Sequence, residues 1–278
     1  MCTLSWRLEG STLDVFFNRD EQKSRVAARP AHFWPDYQAI FPVDPQGGGT
    51  WLAVTTTGSV FALLNNYQAS NARKGVLEEH TSQPLLSRGL VITMLLQELQ
   101  ARLSFDPLAT MTGSSAQASA IGHCLGSLPL CAFQPFTLVC LSPGESAQAF
   151  DWDGQQLTTF QPTSPVISSA VELANVRAQR IEAYPGTDAA VSQLLQYHGS
   201  HLPVPGACSV CMHREDAHTV SFSHLQVNEH NIHYSYHTGA PCQTIGSTSG
   251  AHEGMATVEV TVPRYSENES PKNSFSCL

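Results

Sequence analysis

The 278-residue sequence has no apolar run of the roughly 18 residues that a membrane-crossing helix needs. Charge is scarce too: Asp, Glu, Lys and Arg make up 13% of the chain, and 14 basic residues face 23 acidic ones, a formal net charge of −9. The densest basic stretch, Arg19 to Arg29, is interleaved with acids, so there is no electrostatic footprint for a nucleic acid. Eight cysteines are too sparse for a disulfide scaffold. Arg7, Glu9, Asp14 and Arg19 interrupt the opening segment, which excludes the charged-then-apolar pattern of a signal peptide. No internal repeat is evident. These absences leave a soluble, cytoplasmic protein with no transmembrane segment as the expectation.

What is present is short-range periodicity. Leu4, Trp6 and Leu8 share a face at period two, Glu9-Gly10-Ser11 is turn material, and Leu13 to Phe17 is an apolar run; together they predict a hairpin that Asn18-Arg19-Asp20-Glu21 leaves. Arg29 to Pro45 reads as a loop rich in Pro and aromatics, ending at Gly47-Gly48-Gly49. A second hairpin follows, Thr50 to Val54 and Val60 to Leu64, turning at Thr57-Gly58. The glycines permit close backbone approach, but no Gly-Lys-Ser/Thr follows, so they are not a phosphate loop.

Ile92, Leu95, Leu96, Leu99 and Leu103 mark one face of a helix opened by Ser87. Ala109 to Gly126 is small and polar, a loop or weak helix. Phe136 to Leu141 and Ala147 to Trp152 read as paired strands. Ser169 and Glu172 form a capping-box pattern for a helix to Tyr184, and Ala189 to Tyr197 is helical. Ala207 to His213, Thr219 to Phe222, Leu225 to Asn228, Ile232 to His237 and Val258 to Val262 read as strands. Strands, then helices, then strands is an α+β order. We expect a single domain over 1–264, with 265–278 as a loose C-terminal tail.

Cys2 follows Met1 directly. If Met1 is removed, one residue carries both a thiol and an α-amine, and the amine, with an ordinary pKa of about 7.7–8.0, can take the thiol proton. Met1-Cys2, Asn18-Arg19-Asp20-Glu21, Gly47 through Val54 and Leu64-Asn65-Asn66-Tyr67 stand in one order. In that order they resemble the NRDE family, also called the transport-and-Golgi-organisation-2 family, as do Ser87-Arg88-Gly89, Phe136-Thr137-Leu138 and Ser209-Val210-Cys211. The family resembles N-terminal nucleophile hydrolases, especially the bile-salt-hydrolase and penicillin-acylase group.

That resemblance implies an Ntn-hydrolase-like αββα four-layer sandwich with two antiparallel sheets. It implies a catalytic set of Cys2 as nucleophile, Arg19 and Asp20 as its flanking groups and Asn66 as oxyanion donor. A binding arginine on the helix after a Ser-Ser pair corresponds to Arg177 or Arg180. Where relatives carry a Leu-Ser-Asn-like segment this chain has Ile167-Ser168-Ser169, lacking a second amide donor.

Two functions are compatible with these residues. One is an N-terminal-cysteine amidohydrolase or acyltransferase acting on a small-molecule amide or acyl thioester, with Phe33, Trp34, Tyr37 and Phe41 as acyl-pocket lining or as core. The other is a non-catalytic carrier of a lipid, acyl-CoA or haem, in keeping with family roles in lipid metabolism and haem handling. Neither calls for a resident cofactor. Nine of the twelve histidines fall between His198 and His252. Beside Cys208 and Cys211 they use zinc vocabulary, but in a strand over 207–213 the two sulfurs would point to opposite faces. The expectation is therefore no metal.

Overall fold

A computed structural model describes residues 1–72, 85–105, 114–244 and 257–265. The predicted first hairpin is β1 (Cys2–Glu9) and β2 (Thr12–Gln22), paired antiparallel with Cys2 opposite Arg19. The strand does not end before Asn18; the Asn-Arg-Asp-Glu segment lies inside it. Alternation then sets its two faces. Leu13, Val15 and Phe17 enter the core between the sheets, whereas Phe16 packs on the other side against Leu194 and Phe222.

The Pro- and aromatic-rich stretch is not a loop. It forms β3 (Arg29–Trp34) and β4 (Ala39–Val43). Pro30 is tolerated because β3 is an edge strand, where one row of backbone N–H groups has no ladder to join. The second hairpin is β5 (Leu52–Thr55) and β6 (Val60–Asn65), as expected. A short helix, α1 (Tyr67–Ala72), follows directly.

The predicted amphipathic helix is α2 (Leu90–Phe105), beginning three residues after Ser87. The small-residue stretch is a full helix, α3 (Ser114–Ser127). Next come β7 (Phe136–Leu141), β8 (Gln148–Trp152), β9 (Leu157–Phe160) and β10 (Val166–Ser168). Helix α4 (Leu173–Glu182) has no side-chain cap; Ser169 Oγ accepts the Val171 N–H instead of completing a capping box. Helix α5 (Val191–His198) matches expectation.

Residues 207–213 are irregular rather than a strand. The runs at 219–222 and 225–228 are one strand, β11 (Ala217–Val227), bulged between Thr219 and Ser221. Strand β12 (Asn231–Thr238), helix α6 (Pro241–Thr244) and β13 (Thr257–Pro263) complete the description. The expected tail after Tyr265 lies outside the described residues.

The strands form two antiparallel sheets, ordered β10-β1-β2-β11-β12-β13 and β3-β4-β5-β6-β7-β8-β9. Leu4, Val15 and Phe17 of the first meet Leu52, Val54 and Ala62 of the second in a shared core. Helices α2 and α3 cover the outer face of the seven-stranded sheet through Ile92, Leu95, Ile121 and Leu125 against Phe61, Leu63 and Phe150. Leu194 of α5 and Arg180 of α4 lie on the outer face of the six-stranded one. This is the expected four-layer αββα sandwich. No described helix is long and apolar enough to cross a membrane.

Candidate active site at the start of the first strand

Cys2 begins β1 between two partners, Arg19 on β2 and Ser168 on β10. It is half-buried against the core between the sheets. With Met1 in place, burial pushes the thiol above its ordinary pKa; the nearby ammonium and Arg19 pull the other way without reversing the shift. The Met1 amine donates to the Asp20 carbonyl oxygen at 3.2 Å, and the Asp20 N–H donates to the Met1 carbonyl at 2.9 Å. Burial works against the charge on that amine, yet Cys2, Tyr67 and Asp20 outweigh it and hold its pKa above the ordinary value. The Met1 side chain is itself buried, packed with Met212 and Ala217.

The four residues of the Asn-Arg-Asp-Glu segment divide by face. Arg19 and Glu21 belong to the inter-sheet side. The Arg19 guanidinium lies 4.1 Å from the centre of the Trp51 ring and donates to Asp44 at 3.1 Å; Arg25 bridges the same Asp44 and Glu21. Burial alone would raise the Asp44 pKa, but the hydrogen bond from Arg25 and the charges of both arginines hold it below the usual carboxylate value. Asp44 Oδ1 also accepts the N–H groups of Gln46 and Gly47, so the glycine loop is tied to the strand carrying Arg19.

Asn18 and Asp20 point toward α4 and α5. The Asp20 carboxylate does not meet the amine, which is held by its backbone; it receives Thr219 Oγ1 at 2.7 Å and Arg180 at 3.4 Å. Asn18 Nδ2 donates to the backbone carbonyls of His198 and Val210, and its Oδ1 lies 2.9 Å from His198 Nδ1. An amide oxygen only accepts, so Nδ1 carries the proton and Nε2 accepts from Ser5 Oγ at 2.8 Å. His198 is fully buried, which depresses its pKa to about 3, and it is structural.

Arg177 and Arg180 separate cleanly. Arg177 is exposed on α4, whereas Arg180 is fully buried and donates to Thr3 Oγ1, Asp20 and the Ala207 carbonyl. Asn66 is brought to the right end of β6 but is committed elsewhere. Its Nδ2 donates to both oxygens of Asp151 at 3.1 and 3.0 Å, and its Oδ1 accepts the Ala69 N–H at the start of α1.

The neighbouring residues reach the chain start instead. The Tyr67 hydroxyl helps to hold the Met1 amine protonated and receives Asn65 Nδ2 at 2.8 Å. Arg88 approaches the Tyr67 ring at 5.8 Å and lies within electrostatic range of Cys2; burial lowers its pKa against the pull of Tyr67, Cys2 and Glu21. Sequence reasoning missed Tyr67, Asn65 and Arg88 as site residues, although the motifs containing them had been noted. Ser168, opposite Cys2, is buried, and its hydroxyl has no hydrogen-bond partner among the described residues.

Of the aromatics proposed as acyl lining, Trp34, Tyr37 and Phe41 pack in the helix-side core of the seven-stranded sheet, away from Cys2. A cleft of about 250 Å³ lined by Trp6, Leu8, Leu141, Ala147 and Asp188 lies at the opposite end of β1.

A family model described as Transport and Golgi organisation 2 matches residues 1–182. The chain belongs to that family. No curated protein matches the sequence. Among solved structures, this family member resembles the Caenorhabditis elegans ortholog of N-acylethanolamine-hydrolyzing acid amidase at 8% identity. The alignment covers 81% of this chain and 92% of that one, with a TM-score of 0.50. Anbu (ancestral beta-subunit) from Yersinia bercovieri aligns over 82% of this chain and 84% of its own, at 11% identity and a TM-score of 0.37. The first likeness concerns fold, and it agrees with the four-layer αββα sandwich described above.

Proposed function

We propose that this Transport and Golgi organisation 2 family member is an N-terminal-cysteine amidohydrolase or acyltransferase, uncovered by removal of Met1. One observation carries the reading: the strand end already cradles an ammonium group beside the Cys2 thiol, between the Asp20 carbonyl and the Tyr67 hydroxyl. Hydrolysis of the Met1–Cys2 peptide bond releases methionine with its own amine, leaves the former Cys2 amide nitrogen as the α-amine next to that cradle, and vacates the apolar space bounded by Met212 and Ala217, with Val171 and Ala207 at its edge. In this reading the space left by the Met1 side chain receives the apolar start of the acyl group. The substrate class we assign is linear amides or acyl thioesters, and a solved structure of similar fold is named for hydrolysing N-acylethanolamines.

In the proposed reaction the Cys2 amine takes the thiol proton and Sγ adds to the carbonyl carbon. Tyr67, backed by Asn65, and the unpartnered Ser168 hydroxyl donate to the oxyanion. The tetrahedral intermediate collapses, its bond to the leaving amine or thiol breaks, and the ammonium returns its proton to that group. Water or an acceptor amine then releases the acyl group from sulfur. Arg180 holds Asp20 in place, Arg19 braces the glycine loop, and Asn66 fixes the end of β6 through Asp151.

The test is intact-mass analysis of the native protein, followed by sub-stoichiometric thiol alkylation with the modified site mapped. The proposal expects loss of Met1 and labelling of Cys2 ahead of the other cysteines. Protein retaining Met1 should label slowly at Cys2, because burial there holds the thiol neutral. Fully processed protein whose Cys2 reacts no faster than Cys131, an exposed cysteine, would overturn the reading in favour of a carrier. Asn65→Ala should then impair acyl transfer more than Asn66→Ala, whose loss is a loss of stability.

A further inference from the structure

Behind Met212, four side chains from three separate stretches converge. His201 follows α5, Cys211 and His213 flank Met212, and Cys242 lies in α6 after β12. One ligating atom from each lies within 4.8 Å of every other. Cys211 Sγ is 3.5 Å and Cys242 Sγ 3.4 Å from the same nitrogen, His213 Nε2, and the His201 ring stands edge-on to that of His213.

We propose that these residues form a tetrahedral Cys2His2 site for a structural zinc ion. With zinc–sulfur bonds of about 2.3 Å and zinc–nitrogen bonds of about 2.0–2.1 Å, a tetrahedron has sulfur-to-nitrogen edges of about 3.6 Å. The two sulfur-to-nitrogen distances agree with that, and all four ligating atoms lie within 4.8 Å of one another. Hydrogen bonding accounts for the cluster less well. A single imidazole nitrogen carries one proton or one lone pair, so it pairs with one of the two sulfurs at a time, and the two cysteines also interact with each other. Nε2 of His201 is buried with no hydrogen-bond partner among the described residues, a vacancy that a bonded cation fills. Two thiolates with two imidazoles suit zinc, and four protein ligands close its coordination shell.

The sequence expectation of no metal rested on Cys208 and Cys211 diverging along a strand. Residues 207–213 form no strand, and Cys208 is not a member of the set; Asn175 Nδ2 contacts its sulfur instead. His252, also in the histidine-rich third, lies outside the described residues. The site stands whether or not Cys2 is catalytic. It would fix the wall in which the Met212 N–H donates to Thr219 Oγ1 and Thr219 Oγ1 donates to Asp20.

The full chain, reduced and freed of metal by a chelator, is titrated with zinc alone and then with cobalt(II) as a spectroscopic probe. We expect one equivalent of either metal per chain, with thiolate-to-cobalt charge-transfer bands and the visible bands of a tetrahedral centre. Cys242→Ser and, independently, His201→Gln should each weaken binding by at least about 100-fold, beyond the loss seen when only an outer-shell partner is removed. Cys208→Ser should leave it unchanged. Absence of stoichiometric uptake by the reduced wild-type chain overturns the proposal. So does an octahedral cobalt spectrum, or equal loss of metal in Cys208→Ser. The wild-type stoichiometry and spectrum decide the matter even if a variant fails to fold.

Discussion

The two outer faces of the sandwich are built from different materials. On the seven-stranded sheet, α2 and α3 lay Val91, Ile92, Leu95, Leu96 and Leu125 onto Phe61, Phe136, Leu138 and Phe150, and contact is almost wholly apolar. On the six-stranded sheet the buried residues include Thr3, Ser5, Asp14, Asn18, Asp20, Arg180, His198 and Thr219, joined by hydrogen bonds across the layers. Apolar packing is tolerant of exchange and non-directional. A buried polar network is exacting: its members are satisfied together, and loss of one leaves another unpaired in a low-dielectric setting. The candidate nucleophile starts a strand of the six-stranded sheet, where direction matters.

That contrast can be broken most forcefully at Arg180. The Arg180→Ala variant leaves the Asp20 carboxylate buried without its ion partner, which costs about 3–5 kcal/mol. Denaturant midpoints should fall accordingly, and the labelling rate of Cys2 should change with them. The apolar face supplies the counterpart. Leu95→Ala should lose about 2–5 kcal/mol through transfer and cavity terms, yet leave Cys2 labelling unaltered. Coupled changes in both variants would erase the distinction.

Acid titration sharpens it further. The depressed pKa of His198 means that the folded state holds this ring neutral while an unfolded chain protonates it near pH 6.5. Its contribution is complete above pH 6.5 and declines as pH falls toward about 3, by up to about 1.4 kcal/mol per pH unit. Stability curves of wild type and His198→Gln should therefore converge on acidification; parallel curves would remove the histidine from the account. The smallest effect belongs to Arg177→Ala. It should stay within about 0.5 kcal/mol of wild type, since that side chain is exposed, and Cys2 labelling should not move.

Much of the sandwich was legible because its strands alternate plainly. Leu4 and Trp6, Leu13 to Phe17, and the hairpin from Leu52 to Asn65 announce themselves through period two, and α2 through its i, i+3, i+4 leucines. Other elements were hidden. Prolines and crowded aromatics disguised β3 and β4, which use an edge position to accommodate Pro30. Helix α3 is made of Ser, Ala and Gly, with only a thin apolar stripe. The apolar run at 207–213 looked like a strand, but Asn18 takes the Val210 carbonyl with a side-chain amide, where a ladder partner would have stood.

The site was read unevenly for related reasons. Cys2 and Arg19 share a register that a hairpin predicts. Arg177 and Arg180 stayed ambiguous because helical spacing does not reveal the inner face; Val176, buried four residues before Arg180, carried that information. Tyr67, Asn65 and Arg88 converge through contacts between distant segments, which no local pattern encodes.

The glycine loop has a consequence for inheritance. Gly49 crosses Gly89 so closely that a Cβ on Gly49 would stand 2.1 Å from the Gly89 carbonyl carbon, while Thr50 N–H bonds the Gly89 oxygen. Every missense change in the Gly49 codon adds that carbon. Such alleles would share one fault whichever amino acid they introduce, a forced displacement of the backbone at Gly89 and Leu90, next to Arg88.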